Sequence, residues 1–192
     1  MKIIAINGLS SSGKSTLAEY IASKLPNSVV VHGDYIMLES FMQNHEALMH
    51  FCGRTFDSGE QFFTEFYIPN ETFELLNAIV TDPNLDANFK VEVDKAIDSN
   101  PNADYIIVEW TLCNFIKSIW DIADATISIK ITPEAQQKVF EKHVEERDDV
   151  RDALELRNAV ASPYFEFGEY VILNNIDDKF FEDVDRLVET IK

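Results

Sequence analysis

The sequence is poor in basic residues, in cysteine and in long apolar runs, and each shortage excludes something. Its 16 lysines and arginines face 34 aspartates and glutamates, a formal net charge of −18 over 192 residues. A surface of that sign repels nucleic acid and anionic membrane over most of its area, so neither is an expected partner. The two cysteines, Cys52 and Cys113, sit in apolar surroundings with no C-x-x-C pair and no histidine-rich spacing, and read as free buried thiols, not zinc ligands. His45 and His50 are five residues apart, which does not put two imidazoles on one helix face. No stretch approaches the roughly 18 apolar residues of a membrane span, and the opening run Ile3 to Ile6 is too short for a secretion signal. A cytoplasmic location is expected. Internal repeats and low-complexity segments are also absent, and 46% hydrophobic with 26% charged residues suits one globular domain over residues 1–192.

What is present is an alternation of short apolar runs and helical patterns. Lys2 to Ile6, Ser28 to His32, Tyr105 to Val108, Ala125 to Ile131 and Tyr170 to Leu173 read as strands. They are apolar almost throughout, as a parallel sheet covered on both faces requires. Between them, Thr16 to Leu25, Asn70 to Val80, Phe89 to Asp98, Pro133 to about Asp149 and Asp178 to Ile191 read as helices. Pro133 suits a first helical turn with Thr132 as its cap and Glu134 at the positive end of the dipole. Strands alternating with helices give a doubly wound α/β sandwich. The aromatic-rich stretch Leu38 to Ile68 has no clean period and is expected to hold a helix plus a loop.

The strongest motif follows the first strand. Gly8, Leu9, Ser10, Ser11, Ser12, Gly13, Lys14, Ser15 and Thr16 satisfy G-x-x-x-x-G-K-[ST], between a strand and a helix. The glycines let the backbone wrap so that N–H groups aim at an anion, and the helix N-terminus adds its partial positive charge. Lys14 is expected to reach the β- and γ-phosphates of ATP, and the Ser15 hydroxyl to meet Mg²⁺.

Many chemistries share such a loop. The chain has no N-K-x-D and no D-x-x-G, against a guanine-nucleotide switch, and the third strand ends in Glu109 without an Asp-Glu pair, against a hydrolytic ATPase. A kinase needs a group to orient or deprotonate the acceptor hydroxyl near the γ-phosphate. In a parallel sheet all strand ends face one crevice, so Asp34 and Glu109 are expected at the mouth of the loop, Asp34 as acceptor base and Glu109 as magnesium or substrate ligand. A helix cap at Asp34 and a solvated strand end at Glu109 are the structural alternatives.

These residues resemble the uridine kinase and nicotinamide riboside kinase group of P-loop kinases. His32-Gly33-Asp34-Tyr35 stands where that group has its base aspartate, though Ile36 and Met37 replace the usual Phe-Tyr continuation. Thr55-Phe56-Asp57 is similar to its aromatic-Asp pair, which implies that Phe56 stacks on the substrate ring and Asp57 holds ribose hydroxyls. Ile107-Val108-Glu109-Trp110 resembles its third strand end, with Trp110 in place of glycine. Arg147, Asp148 and Arg151 look like its lid cations, while His143 and Val144 stand where further arginines are usual. Pairing along an acidic helix would equally account for Arg147 and Arg151. Ser162 to Leu173 is similar to the group's passage into its last strand, which would bring Asn174 and Asn175 to the adenine.

The resemblance implies a P-loop nucleoside triphosphate hydrolase fold with a five-stranded parallel sheet in the order 2-3-1-4-5, an acceptor-binding insertion at about 38–100 and a lid at about 140–162. It implies a monomeric or homodimeric kinase that uses ATP and Mg²⁺ to phosphorylate a nucleoside-like small molecule. Asp34-Tyr35-Ile36 is also similar to the Asp-x-Ile of dephospho-coenzyme A kinases. The thin set of lid cations is compatible with a non-catalytic nucleotide-binding regulator as well.

Overall fold

The computed structural model describes the backbone of residues 1–144 and 150–192 and the side chains of all but residue 140 and residues 142–151. Five strands, β1 (Lys2–Gly8), β2 (Ser28–His32), β3 (Tyr105–Glu109), β4 (Ala125–Ile131) and β5 (Tyr170–Asn174), form one parallel sheet in the order β2-β3-β1-β4-β5. This is the expected order. The central strands β1 and β3 are covered on both faces, whereas the edge strand β5 leaves Val171 and Leu173 exposed.

Period-two alternation sorts the strand side chains into two cores. Ile4, Ile6, Tyr105, Ile107, Ile127 and Ile129 point to the face packed by α1 (Lys14–Lys24) and α10 (Asp178–Ile191). Ala5, Ile106 and Val108 point to the other face. There α2 (Gly33–Met42), α3 (His45–Cys52), α4 (Gly59–Phe62), α5 (Phe73–Val80), α6 (Leu85–Ser99) and α7 (Lys117–Trp120) supply the apolar cover. The remaining helices are α8 (Pro133–Val144) and α9 (Val150–Ala161), the latter buried at Val160 and Ala161 in this second core. The Thr132 hydroxyl accepts from the Ala135 N–H at 3.3 Å, so the cap before Pro133 forms as expected.

Several boundaries differ from the sequence pattern. Residues 38–68 hold more helix than one helix and a loop: the end of α2, all of α3 and α4, and a π-turn at Phe63–Tyr67. Local side-chain acceptors start them, Asn44 on the Ala47 N–H at 3.1 Å and Ser58 on the Gln61 N–H at 3.1 Å. The helix expected from Asn70 begins at Phe73 because Thr72 takes the cap, its hydroxyl accepting from the Leu75 N–H at 3.3 Å. α6 starts at Leu85, earlier than Phe89, since Leu85 is itself core.

Beneath the glycine loop the second face of the sheet turns polar. Asn7 of β1, Ser128 of β4 and Asn114 are all buried. The Ser128 hydroxyl donates to Asn7 Oδ1 at 2.6 Å, and Asn7 Nδ2 donates to Asn114 Oδ1 at 2.9 Å and to the Glu166 carbonyl at 2.8 Å. Asn114 Nδ2 donates to the Tyr164 carbonyl at 2.8 Å, and Ser128 Oγ accepts the Gly168 N–H at 2.7 Å. Three side chains thereby satisfy the backbone of residues 164–168, an irregular segment that carries the chain from α9 to β5.

Gly33 marks the tightest packing near the strand ends. A Cβ there would stand 2.5 Å from Trp110 Cβ and 2.8 Å from Phe89 Cε1. Overpacking of this kind costs about 1–3 kcal/mol. Gly33→Ala is therefore expected to lower the free energy of urea-induced unfolding by that amount, whereas alanine at Gly53, where nothing lies within 4 Å but φ is +67°, should cost only the smaller backbone penalty.

Candidate functional site

The loop from Gly8 to Thr16 has the backbone its glycines predict. Gly13 sits at φ 100° and its Cβ would meet Asn174 Nδ2 at 2.8 Å, so no other residue fits without displacing that asparagine. Asn174 Nδ2 in turn donates to the Ser12 carbonyl at 2.8 Å. Ser11 is left-handed as well, at φ 62°. No side chain caps α1, and the N–H groups of its first turn have no carbonyl within the helix, so they converge on the concavity of the loop. The Ser12 hydroxyl is buried against Gly8, with no hydrogen-bond partner among the described residues.

Lys14 opens α1 and is buried, with 8% of its surface exposed. Among the described residues its ammonium donates one long 3.4 Å bond, to the Leu9 carbonyl. Burial holds its pKa below the usual lysine value, opposed by the nearby negative charges of Asp34 and Glu109.

Glu109 and His32 are register partners on adjacent parallel strands, so their side chains leave the sheet side by side. Both face α1. His32 Nδ1 lies 2.8 Å from Glu109 Oε1, and the Ser15 hydroxyl donates to that same oxygen at 3.2 Å. His32 Nε2 reaches Glu19 at 3.4 Å, one turn further along α1. Glu109 is 3% exposed, so the solvated-strand-end reading does not hold. Asp34 occupies the first turn of α2 without capping it, since that helix has no side-chain cap bond. Its carboxylate is exposed, within electrostatic reach of both Lys14 and Arg157.

Lys14, Ser15 and Asp34 line a cleft of about 970 Å³, whereas Glu109 and His32 are not among its lining residues and Glu109 meets it through the Ser15 hydroxyl. Ser10 and Ser11 of the loop line the cleft as well. Tyr35, Phe63, Tyr67 and Trp110 contribute aromatic surface, and α9 contributes Arg157. Trp110, buried and 5.1 Å from the Phe89 ring, closes the floor where a glycine would have left space.

Phe56 and Asp57, expected at the substrate, are not among the residues lining this cleft. Phe56 is a core ring, edge-on to Phe62 at 5.3 Å and covered by the Arg54 guanidinium at 4.4 Å, because the clustered aromatics here pack on one another. Asp57 is exposed, and its N–H is taken by Gln61 Oε1 at 2.8 Å. Arg54 forms a surface ion pair with Glu65 at 2.8 Å. Arg147 lies outside the described residues, as does the side chain of Arg151.

The arginine that does enter the cleft is Arg157. Its Nε and Nη2 donate to the two oxygens of Glu71, the latter at 3.0 Å, and the guanidinium lies 5.5 Å from the Tyr67 ring centroid. Burial raises the Tyr67 phenol well above its usual range, with Arg157 opposing that shift. Nothing local in the sequence marks Arg157, whose partner is 86 residues away.

Both cysteines are free, and burial pushes the Cys113 thiol up to about 12, with the charge of Glu109 adding to the rise. Among the described residues no three His, Cys, Asp or Glu side chains group as a metal site, and no helix is long and apolar enough to cross a membrane. The Ser15 hydroxyl beside the Glu109 carboxylate is nevertheless a hard-oxygen donor pair. It fits Mg²⁺, which takes one or two protein oxygens and completes its shell with phosphate and water.

No family model and no curated protein matches the sequence. Solved structures match in fold. TT1252 from Thermus thermophilus aligns with a TM-score of 0.62 at 16% identity, covering 99% of this chain and 95% of its own. Shikimate kinase from Bacteroides thetaiotaomicron aligns at 0.54 with 14% identity, covering 99% and 98%. APE1195 aligns at 0.51 with 15% identity, covering 99% and 94%. Together with the sheet order and the glycine loop, these likenesses show a P-loop kinase-like fold over the whole chain.

The depressed pKa of Lys14 carries a stability consequence. The unfolded lysine holds its proton more tightly than the folded one, so folding is penalised at neutral pH and the penalty disappears as pH rises toward 10.5. Lys14→Met is expected to raise the melting temperature of the nucleotide-free protein by a few degrees at pH 7, with the difference shrinking as the pH rises toward the ordinary lysine value. Calorimetric melts across that range check it; a lower melting temperature at pH 7 would contradict the burial cost.

Proposed function

We propose that this protein is an ATP-dependent kinase that transfers the γ-phosphate to a hydroxyl of a small, nucleoside-like acceptor. The observation that carries the reading is that Lys14, Ser15 and Asp34 line a single cleft together with the aromatic side chains Tyr35, Phe63, Tyr67 and Trp110. A loop of inward N–H groups and a buried lysine suits a triphosphate, and the space beyond Asp34 suits a flat or sugar-like molecule.

In this reading Gly8, Ser10, Ser11, Ser12, Gly13, Lys14, Ser15 and Thr16 hold the triphosphate. Ser15 and Glu109 hold Mg²⁺, which when bound offsets the negative charge of the phosphates. Asp34 accepts the proton of the acceptor hydroxyl as its oxygen bonds to the γ-phosphorus and the bond to the β,γ-bridging oxygen breaks, releasing ADP. Lys14, desolvated until the triphosphate arrives, interacts more strongly with the developing charge than an exposed lysine would. Trp110 and Tyr67 exclude water from the acceptor side, which protects the phosphoryl group from hydrolysis. Arg147 and Arg151 are assigned as lid cations on the sequence resemblance, and Glu109 takes the substrate as well as the metal if the acceptor reaches that deep.

ATP consumption measured against nucleosides, nicotinamide riboside, pantetheine derivatives and sugars tests the reading. Stimulation by a nucleoside-like acceptor is expected, and tight MgATP binding with stimulation by none would favour a regulator. Asp34→Asn should lower kcat by about 10²–10⁴-fold while nucleotide affinity changes little. Lys14→Ala should remove transfer altogether. Full turnover by the Asp34 variant would remove the carboxylate from the base role.

A further inference from the structure

One contact at the phosphate loop belongs to neither the glycine motif nor the residues named above. Asn158, in the last turn and a half of α9, reaches the loop at Ser10. Its Oδ1 accepts the Ser10 N–H at 2.7 Å, and its Nδ2 faces the Ser10 carbonyl at 3.5 Å. A single carboxamide thus spans both polar groups of one residue of the loop, 148 positions away in sequence. Ser10 is at the end of the loop that lines the cleft, with Ser11, Lys14 and Ser15, whereas Ser12 and Gly13 lie outside it. The side chain next to Asn158 is Arg157, locked on Glu71 in the cleft wall. Consecutive residues of α9 therefore hold the two halves of the cleft, one on the acceptor wall and one on the phosphate loop. The helix is anchored beyond them by buried Val160 and Ala161 and by the 164–168 segment fastened to Asn7, Asn114 and Ser128.

We infer that Asn158 is a positioning residue that sets the cleft-facing end of the phosphate loop for the terminal phosphate, and that α9 links this setting to the acceptor wall through Arg157. The inference rests on the kinase reading for its consequence, and on geometry alone for the contact. A neutral carboxamide suits the place. It satisfies the Ser10 N–H without adding negative charge beside a triphosphate, and its short bond holds a residue next to left-handed Ser11, where the backbone has freedom to collapse.

The test pairs two measurements on wild type, Asn158→Ala and Asn158→Asp. In the nucleotide-free protein, the Ser10 amide should exchange with deuterium about five- to tenfold faster in Asn158→Ala, and near the wild-type rate in Asn158→Asp, which keeps an acceptor oxygen. By calorimetry with Mg²⁺, Asn158→Ala should bind a non-hydrolysable ATP analogue about five- to tenfold more weakly while ADP affinity stays within about twofold. Asn158→Asp should lose triphosphate affinity by charge repulsion despite keeping the contact. A purely structural role would shift both nucleotides together or only the melting temperature, and that result overturns the inference. Tighter triphosphate binding by Asn158→Ala also overturns it, since the asparagine would then be blocking the loop. Should wild type bind neither nucleotide, the kinase reading fails, and the exchange rate of Ser10 still decides whether Asn158 holds the loop.

Discussion

A lysine ammonium kept out of water is the interaction on which the rest of this site depends. Lys14 is placed by the turn into α1, has almost no exposed surface, and among the described residues finds one long bond to a carbonyl. Its charge is tolerated because Asp34 and Glu109 approach from two neighbouring strand ends. Those carboxylates do not cancel the cost of burial, as the direction of the pKa shift records. The site is thus organised around a positive charge whose neutralisation by its neighbours is incomplete.

Holding that charge in place requires rigid surroundings, and the polar core beneath the loop provides them. Apolar packing alone is tolerant of small slips, whereas Asn7, Ser128 and Asn114 accept few geometries, because each donor and acceptor left unmet inside the sheet costs about 1–3 kcal/mol. The same three residues fix the exit from α9. The phosphate loop and the helix facing it therefore share one foundation: Asn7 is the residue immediately before the loop and, through the Glu166 carbonyl, a tether for the segment after the helix.

The pairing of Glu109 with His32 shows how the parallel sheet builds chemistry from register. Side chains in register on adjacent strands emerge together, and these two emerge toward the first turns of α1, where Ser15 and Glu19 wait. An imidazole and a hydroxyl thus meet the same carboxylate oxygen, Glu109 Oε1. In contrast, Asp34 sits just past its strand in the first turn of α2, a helix that packs on the second core, while Glu109 faces α1.

The sequence by itself determined the parallel sheet, the phosphate loop and the strand-end positions of Asp34 and Glu109, because each is a local pattern: an apolar run, a glycine spacing, a residue just past a strand. It failed at Phe56, where an aromatic next to an aspartate reads the same whether the ring meets a ligand or Phe62. It was also silent on Arg157 and Asn158, and on the pairing of His32 with Glu109. Only the tertiary structure decided these, since what gives them meaning is a partner from a distant element: Glu71 for Arg157, Ser10 for Asn158, Glu109 for His32. Local pattern specifies which backbone forms and which side chains leave a strand end, while the walls of a cleft are assembled by packing between elements, which no spacing along one chain encodes.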